Sequence, residues 1–541
     1  MDKVVIIGVD GVTPDLVEKW MEEGHLPNFQ KIKNKGAYSR LNSTTPPFSA
    51  PSWTSIITGC NQGKHGIYGF ESTEFIKTHL ITSKNRKVPA IWNYLSDMGM
   101  SNIVVNVPGT YPPDKINGVM ITGLLTPSPE SNFTYPKEIR NRLLKGEFGE
   151  YELESIWLED LPRSYMAKND PEKLLDILLK QIESRANVTI KLMKSMKWDF
   201  TMVVLRATDT AQHFLFHNKE LLLKMYKKTD ELVGKIIETE PNATYFIVSD
   251  HGFQMIKKIM HPDNLLYTNG YLKPMKEPRK NYMFLINQFF YSISRSILSI
   301  LPPEKIKHSS LIKNLLFSAA SKEKVYDLTK TIAFCISEGR GIQINLKNRY
   351  EQGIIDKKDY EKHRTELINL FESLRDPWSG KRYVKKAYRG NEIYGENAIH
   401  PLDIVLDLEP GYSSCEGLRL SHKFFDSLRF QLRKDALPHL FKDDTSSRSG
   451  DHAQYGIFFA CGSNIKKTDD IKDISVFDIV PQVFAAYSIK PPENLDGIVH
   501  DEIFIKKPVF KKVVRQENKK LTIEEKMKIL KIQDKLKKLN K

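Results

Sequence analysis

Cysteine is scarce and scattered. The chain of 541 residues holds four, Cys60, Cys335, Cys415 and Cys461, and no two form a C-x-x-C pair. That spacing excludes a thiolate zinc site and a disulfide framework. It fits a reducing compartment, so a cytoplasmic location is expected. Long hydrophobic runs are missing as well. Lys3 is followed by only six apolar-type residues, Val4 to Val9, before Asp10, too few for a secretory core or a membrane span. The longest later stretch, Tyr282 to Leu301, is broken by Asn287, Gln288 and Arg295. It reads as a buried or surface-docking helix, with membrane contact along one face as the alternative. No transmembrane segment is expected. Internal repeats, zinc-finger spacing and aromatic-basic repeats are absent too, which removes the usual signs of nucleic-acid recognition.

What is present is an ordinary globular composition, 40% hydrophobic and 27% charged, in a chain too long for one simple core. The formal net charge is +15, but residues 506–541 carry 14 Lys or Arg against 4 Asp or Glu, a net of +10. A basic tail, and not a basic body, sets the charge. It is expected to form a helix, with a capping box of Thr522 and Glu525 and an apolar seam of Ile529, Ile532, Leu536 and Leu539. Such a tail offers itself to an anionic surface or a partner helix.

Nearly continuous apolar runs mark strands buried on both faces. They occur at Lys3–Val9, Asn102–Val107, Thr201–Leu205, Thr244–Val248, Asp403–Leu406 and Gly456–Ala460. Helical patterns such as Pro171–Met196 and Lys219–Glu238 lie between them. The alternation predicts an α/β fold, a three-layer α/β/α sandwich around a mostly parallel sheet. Residues 126–170 and 270–376 break the rhythm and are expected as inserted cap regions covering the site. The core is then 1–125, 171–269 and 377–505, followed by the tail at 506–541.

In such folds the active site gathers at the carboxyl ends of the strands. Asp10 follows the first strand. Asp250 and His251 follow Thr244–Val248, and Gly252 lets the chain turn away. Asp209 and His213 come after Thr201–Leu205, one helical turn apart, with His217 as a weaker continuation of that face. His452 stands in Ser449-Gly450-Asp451-His452, a loop just before Gly456–Ala460. Six Asp and His ligands are the complement for two divalent ions, zinc first and manganese as the alternative. The segment Thr45 to Gly59 supplies a nucleophile. No helix breaker lies between Ser52 and Thr58, Pro51 suits a first turn and Gly59 an end, so Ser49 is expected in the loop before a helix N-terminus. A serine hydroxyl is a poor nucleophile until a metal or base depresses its pKa, and the alternative is Ser49 or Ser52 as a plain N-cap.

These residues resemble the alkaline phosphatase superfamily, in its type I phosphodiesterase / nucleotide pyrophosphatase branch. The likeness runs through Val5–Gly11, Ser49–Gly59, Lys64-His-Gly-Ile67, Thr208–His213, Ser249–Phe253 and Gly450-Asp-His452. It implies that Asp10, Ser49, Asp250 and His251 hold one ion, and that Asp209, His213 and His452 hold the other. It implies a phosphoseryl intermediate on Ser49 and a small phosphate-ester substrate, a nucleotide or nucleotide-sugar, with diesters first. His65 is read as structural. Relatives usually have Thr at the position of Ser49 and an Asn shortly after the His-Gly-Ile segment. Here Tyr68-Gly-Phe70 follows instead, which leaves the backbone N–H of Ala50 to bind a phosphate oxygen. Sulfatases, a sister group, need an arginine where this chain has Trp53. The alternatives are a phosphomonoesterase or phosphotransferase, with Arg206 and Arg340 as candidate dianion binders, and a non-catalytic protein binding through its tail.

Overall fold

A computed structural model describes residues 2–73, 80–151, 153, 160–274, 326–376, 379–415, 417, 441–442 and 448–510. Eight strands form the central sheet, in the order Ala37–Asn42, Tyr455–Cys461, Thr244–Val248, Val4–Val9, Phe200–Leu205, Asn102–Val107, Gly118–Thr122 and Thr134–Tyr135. The five from Thr244–Val248 to Gly118–Thr122 are mutually parallel. Tyr455–Cys461 runs against both its neighbours, and Thr134–Tyr135 against its one.

Val4–Val9 is buried along its whole length because both faces of the sheet are covered. Alternate residues point to opposite sides. Val5, Ile7 and Val9 meet helices Pro14–Glu22, Pro27–Lys35, Pro171–Ser195 and Lys219–Thr239, through Trp20, Phe29, Leu178 and Leu222. Val4 and Ile6 meet helices Ser49–Thr58, Ile91–Asp97 and Ile479–Ala486, through Trp53, Ile56, Leu95 and Val480. This is the expected three-layer sandwich. The long helices begin where the sequence places them. Asp170 accepts Lys173 N at 3.2 Å and Asn218 accepts Leu221 N at 3.1 Å, each satisfying an otherwise unpaired first-turn donor.

Two expectations are corrected. The strand at Asp403–Leu406 forms, as Ile404–Leu408, but in a separate four-stranded antiparallel sheet. Its order is Ala333–Ile336, Gly341–Ile344, Ile404–Leu408 and Val384–Arg389. An apolar run reports burial on both faces and is silent about which sheet provides it. This small sheet has its own core of Phe334, Ile342, Leu367, Phe371, Tyr383 and Ile404. It draws strands from both sides of position 376, where the sequence reading sets a boundary. Residues 126–151, expected as a cap, contribute to the main sheet and core. They add Thr134–Tyr135 to the sheet edge and bury Phe133, Ile139 and Leu143 in the first core. Their richness in proline and serine marks irregular chain without saying where it packs.

Among the described residues no helix is long and apolar enough to cross a membrane. The stretch Tyr282–Leu301 and the tail helix after 510 lie outside the described residues.

A charged cluster ties down the end of the core. His500 bonds Asp478 Oδ2 at 3.2 Å and Glu502 Oε1 at 3.1 Å, and Asp478 also accepts Ser475 N at 2.7 Å and Ile498 N at 2.8 Å. Burial alone would lower the His500 pKa, but the bonds to Asp478 and Glu502 outweigh it and raise the value. A raised folded value means that the proton's stabilising contribution is complete below the unfolded pKa of about 6.5, and is lost as pH rises through the folded one. The melting temperature of the native sequence should therefore fall more steeply above about pH 6.5 than that of His500→Gln. Parallel curves would assign the titration elsewhere.

Candidate active site

Register brings the first groups level. Val9 pairs with Leu205 and Gly8 with Val248, so Asp10, Arg206 and Asp250 emerge side by side at the carboxyl edge. Gly11, at φ 72°, turns the chain after Asp10 in a conformation that favours glycine. Gln212 Nε2 donates to Gly11 O, Tyr226 OH donates to Gln212 Oε1 at 2.7 Å, and Thr13 N donates to Tyr226 OH at 3.1 Å. Trp53 Nε1 donates to Asp10 Oδ2 at 2.9 Å. The indole reaches it by lying across Gly8, where a Cβ would come within 2.3 Å of the ring.

Asp250 Oδ1 accepts Gly11 N at 3.2 Å, and the Ser43 hydroxyl donates to Asp250 O. His251 Nδ1 donates to Gly252 O at 3.1 Å, and His213 Nδ1 donates to Gly450 O at 3.0 Å. Those bonds fix both tautomers and leave each Nε2 with a lone pair facing the site. Asp209 and His213 share a face of helix Ala207–Leu215, as their spacing requires. His452 does not lie in a loop. It belongs to strand Gly450–Ala453, which pairs antiparallel with Gly252–Met255 and sets His452 opposite Phe253. Alternation is too short there to reveal a strand. Ser49 is the first residue of helix Ser49–Thr58 and not in the preceding loop. Pro51 sits within its first turn, and Gly59, at φ 65°, ends it. The N–H of Ala50 has no intrahelical acceptor at that end.

The side chains converge. His251 Nε2 lies 3.0 Å from Ser49 Oγ, 3.2 Å from Asp250 Oδ2 and 3.7 Å from Asp10 Oδ1. Asp209 Oδ1 lies 3.4 Å from His213 Nε2 and 3.5 Å from His452 Nε2, and the two imidazole nitrogens are 3.1 Å apart. All these residues are buried. Burial and the charges of Asp250 and Asp209 push the Asp10 carboxyl well above its usual range, and burial and Asp209 push Asp250 up to about 7. Burial holds His251 well below its ordinary value and His213 down to about 4. Burial would raise Asp209 too, but His213, His452 and Arg206 outweigh it and keep this carboxylate ionised.

The donor set fits cations. Asp10 Oδ1, Asp209 Oδ1 and Asp250 Oδ2 are buried and have no hydrogen-bond partner among the described residues. Carboxylate oxygens left this way are costly unless a positive charge faces them. Asp10, Asp250 and His251 offer ligand atoms within 4.8 Å of one another, and so do Asp209, His251 and His452. A third grouping, His213, Asp451 and His452, adds a carboxylate that the sequence reading passed over. Asp451 Oδ2 is taken by Arg340 Nη2 at 2.8 Å, and Asp209 Oδ2 by Arg206 Nη1 at 3.3 Å.

Other candidates fall outside the cluster. His217 is exposed. His65 is buried in the fold, where its Nε2 donates to Ser55 Oγ at 3.0 Å and its Nδ1 accepts Ile67 N at 3.1 Å. Tyr68 OH turns away to Ile399 O at 2.7 Å. Trp53, Gln212, Tyr226 and Phe253 support the site without standing out in sequence. Gly8, a glycine inside a strand pattern, is the signal that something packs closely there.

The family described as type I phosphodiesterase / nucleotide pyrophosphatase matches residues 4–426. Among solved structures, human ectonucleotide pyrophosphatase / phosphodiesterase 5 is similar, at 11% identity over 93% of this chain and 100% of that one, with a TM-score of 0.49. No curated protein matches the chain.

Two outcomes follow from the geometry. Zinc or manganese added to chelator-stripped protein at about 100 times its Kd should stabilise the fold by ~2.7 kcal/mol per site, read as a rise in melting temperature. A melting curve indifferent to both metals would remove the case for cations. Trp53→Phe leaves Asp10 Oδ2 without its donor, and should weaken cation affinity by about 10–100-fold in calorimetric titration. Unchanged affinity would mean that the indole does not orient Asp10.

Proposed function

Since the chain belongs to the type I phosphodiesterase / nucleotide pyrophosphatase family, and is thus a phosphoric ester hydrolase, we propose that it cleaves small phosphate diesters with Ser49 as its nucleophile. The supporting observation is the convergence of three carboxylate oxygens, without a hydrogen-bond partner among the described residues, and three imidazole nitrogens beside the Ser49 hydroxyl. Asp10, Ser49, Asp250 and His251 would hold one divalent ion, and Asp209, His213 and His452 the other. Such ions supply positive charge for the attacking and leaving oxygens. Zinc is the first choice and manganese the next, because mixed oxygen and imidazole donors suit both.

The chain's own groups do the rest. Ser49 Oγ lies 3.0 Å from His251 Nε2, whose lone pair the tautomer set by Gly252 O keeps available for the ion, and so presents its oxygen at a helix N-terminus. The N–H of Ala50 and the helix dipole favour an anion at that point. Attack of Oγ on phosphorus, with its proton passing to solvent and the ester oxygen leaving as an alcohol after taking one up, gives phosphoseryl, which water then hydrolyses to return the Ser49 hydroxyl. Nucleotides and nucleotide-sugars are the substrates that the family suggests. Diesters are favoured over monoesters because Arg206 and Arg340 are both bound to carboxylates, which leaves neither disposed toward a dianion. A cytoplasmic setting belongs to the same reading, supported by the scarcity of cysteine, four in 541 residues with no C-x-x-C pair. So does contact of the basic tail with an anionic surface or a partner helix, supported by its charge.

The test is a panel of matched diesters and monoesters with metal-loaded protein. Diesters should be preferred, and Ser49→Ala should lower kcat at least ~10³-fold. Equal turnover in the variant would exclude Ser49, and a preference for monoesters would overturn the substrate class.

A further inference from the structure

We infer that Arg340 is a positioning residue for this reaction, through which the small sheet sets the orientation of His452 and of the helix that begins at Ser49. The inference rests on the reading of His452 as an ion ligand and Ser49 as the nucleophile.

Arg340 leaves a turn between strands Ala333–Ile336 and Gly341–Ile344. Ser337, Glu338 and Gly339 all have positive φ, at 54°, 55° and 89°. Two consecutive non-glycine residues in the left-handed region persist only where the surroundings impose them. Here Arg340 N donates to Ser337 O at 3.0 Å, Leu406 N donates to Arg340 O at 2.8 Å, and Ser414 Oγ donates to Glu338 O at 3.2 Å. The strained turn aims one side chain into the site.

Arg340 is only 3% exposed. Its Nη2 donates to Asp451 Oδ2 at 2.8 Å, and its guanidinium carbon lies 5.6 Å from the centre of the Phe48 ring. Asp451 is the residue before His452, and Phe48 is the residue before Ser49. The Phe48 ring also meets the His452 imidazole edge-on, with centres 5.7 Å apart and planes at 77°. One guanidinium therefore holds the residues next to both functional groups.

His452 has particular need of this. His213 and His251 are each oriented by an Nδ1 hydrogen bond to a carbonyl. His452 Nδ1 is buried and has no hydrogen-bond partner among the described residues. The usual device for fixing a ligating imidazole is missing. Its orientation falls to packing, between Phe48 and Phe253, whose ring centre is 5.3 Å away. Arg340 fixes Phe48 and Asp451 together. A planar guanidinium can bond a carboxylate and face an aromatic ring at once, which an ammonium does less well.

The experiment uses full-length protein carrying Arg340→Met, Arg340→Lys, Asp451→Asn or the Arg340→Met/Asp451→Asn pair. Zinc affinity of the stripped proteins is measured against a chromophoric chelator, together with melting temperature, kcat and KM on a diester. Arg340→Met is expected to weaken one of two zinc sites by about 10–100-fold and to lower kcat with KM little changed. The double variant should lose no more than the worse single variant, and Arg340→Lys should recover part of the loss and keep the protein folded. A lower melting temperature with both zinc affinities intact would make Arg340 merely structural and overturn the inference. A rise in KM alone would overturn it in favour of substrate contact. Each of these failures, seen beside a native protein that binds two ions and an inactive Ser49→Ala, leaves the serine mechanism standing. A native protein that binds no zinc would overturn both.

Discussion

Asp10, Asp209 and Asp250 are buried close together, and each carries an oxygen with no hydrogen-bond partner among the described residues. Like charges at such range repel, and burial sharpens the repulsion because little solvent screens it. The fold bears this cost only because it holds the other oxygen of each carboxylate firmly: Asp10 by the Trp53 indole, Asp250 by the Gly11 amide, Asp209 by the Arg206 guanidinium. Each clamp fixes the direction of the free oxygen. The repulsion is thereby aimed, and the pocket is arranged for positive charge before any arrives.

The rest of the architecture can be understood as support for those clamps. Parallel strands in strict register deliver Asp10, Arg206 and Asp250 to one edge. The missing Cβ at Gly8 makes room for the indole. Gln212 and Tyr226 anchor the turn after Asp10 from the helical layer opposite. The small sheet contributes Arg340, which closes the arrangement from outside.

Much of this was legible in the sequence, and for identifiable reasons. Doubly buried strands announce themselves as unbroken apolar runs, and the strand-end rule then singles out Asp10, Asp250 and Asp209. His213 follows from helical spacing alone. His452 was legible as a residue type, but its strand was not, because four residues paired across a long separation leave no periodic trace. Sheet membership of Ile404–Leu408 was hidden for a related reason: burial is local, whereas pairing is not. Arg340 was legible as a candidate dianion binder, but its partner Asp451 was not, since ion pairs between distant segments carry no spacing signal. Trp53 stood out in sequence only as the residue in place of a sulfatase arginine, and its bond to Asp10 crosses a separation that leaves no spacing signal.

The ribbon of Gly252–Met255 with Gly450–Ala453 has a consequence for how the protein is made. About 200 residues, the small sheet among them, separate its two strands. Closing so long a loop is entropically slow, so the ribbon zips only after the intervening chain has collapsed. During synthesis Asp10, Ser49, Asp209, His213, Asp250 and His251 are all made before His452. Nascent chains therefore pass through a stage that lacks one of the seven residues of the constellation, which is completed by the last layer to settle.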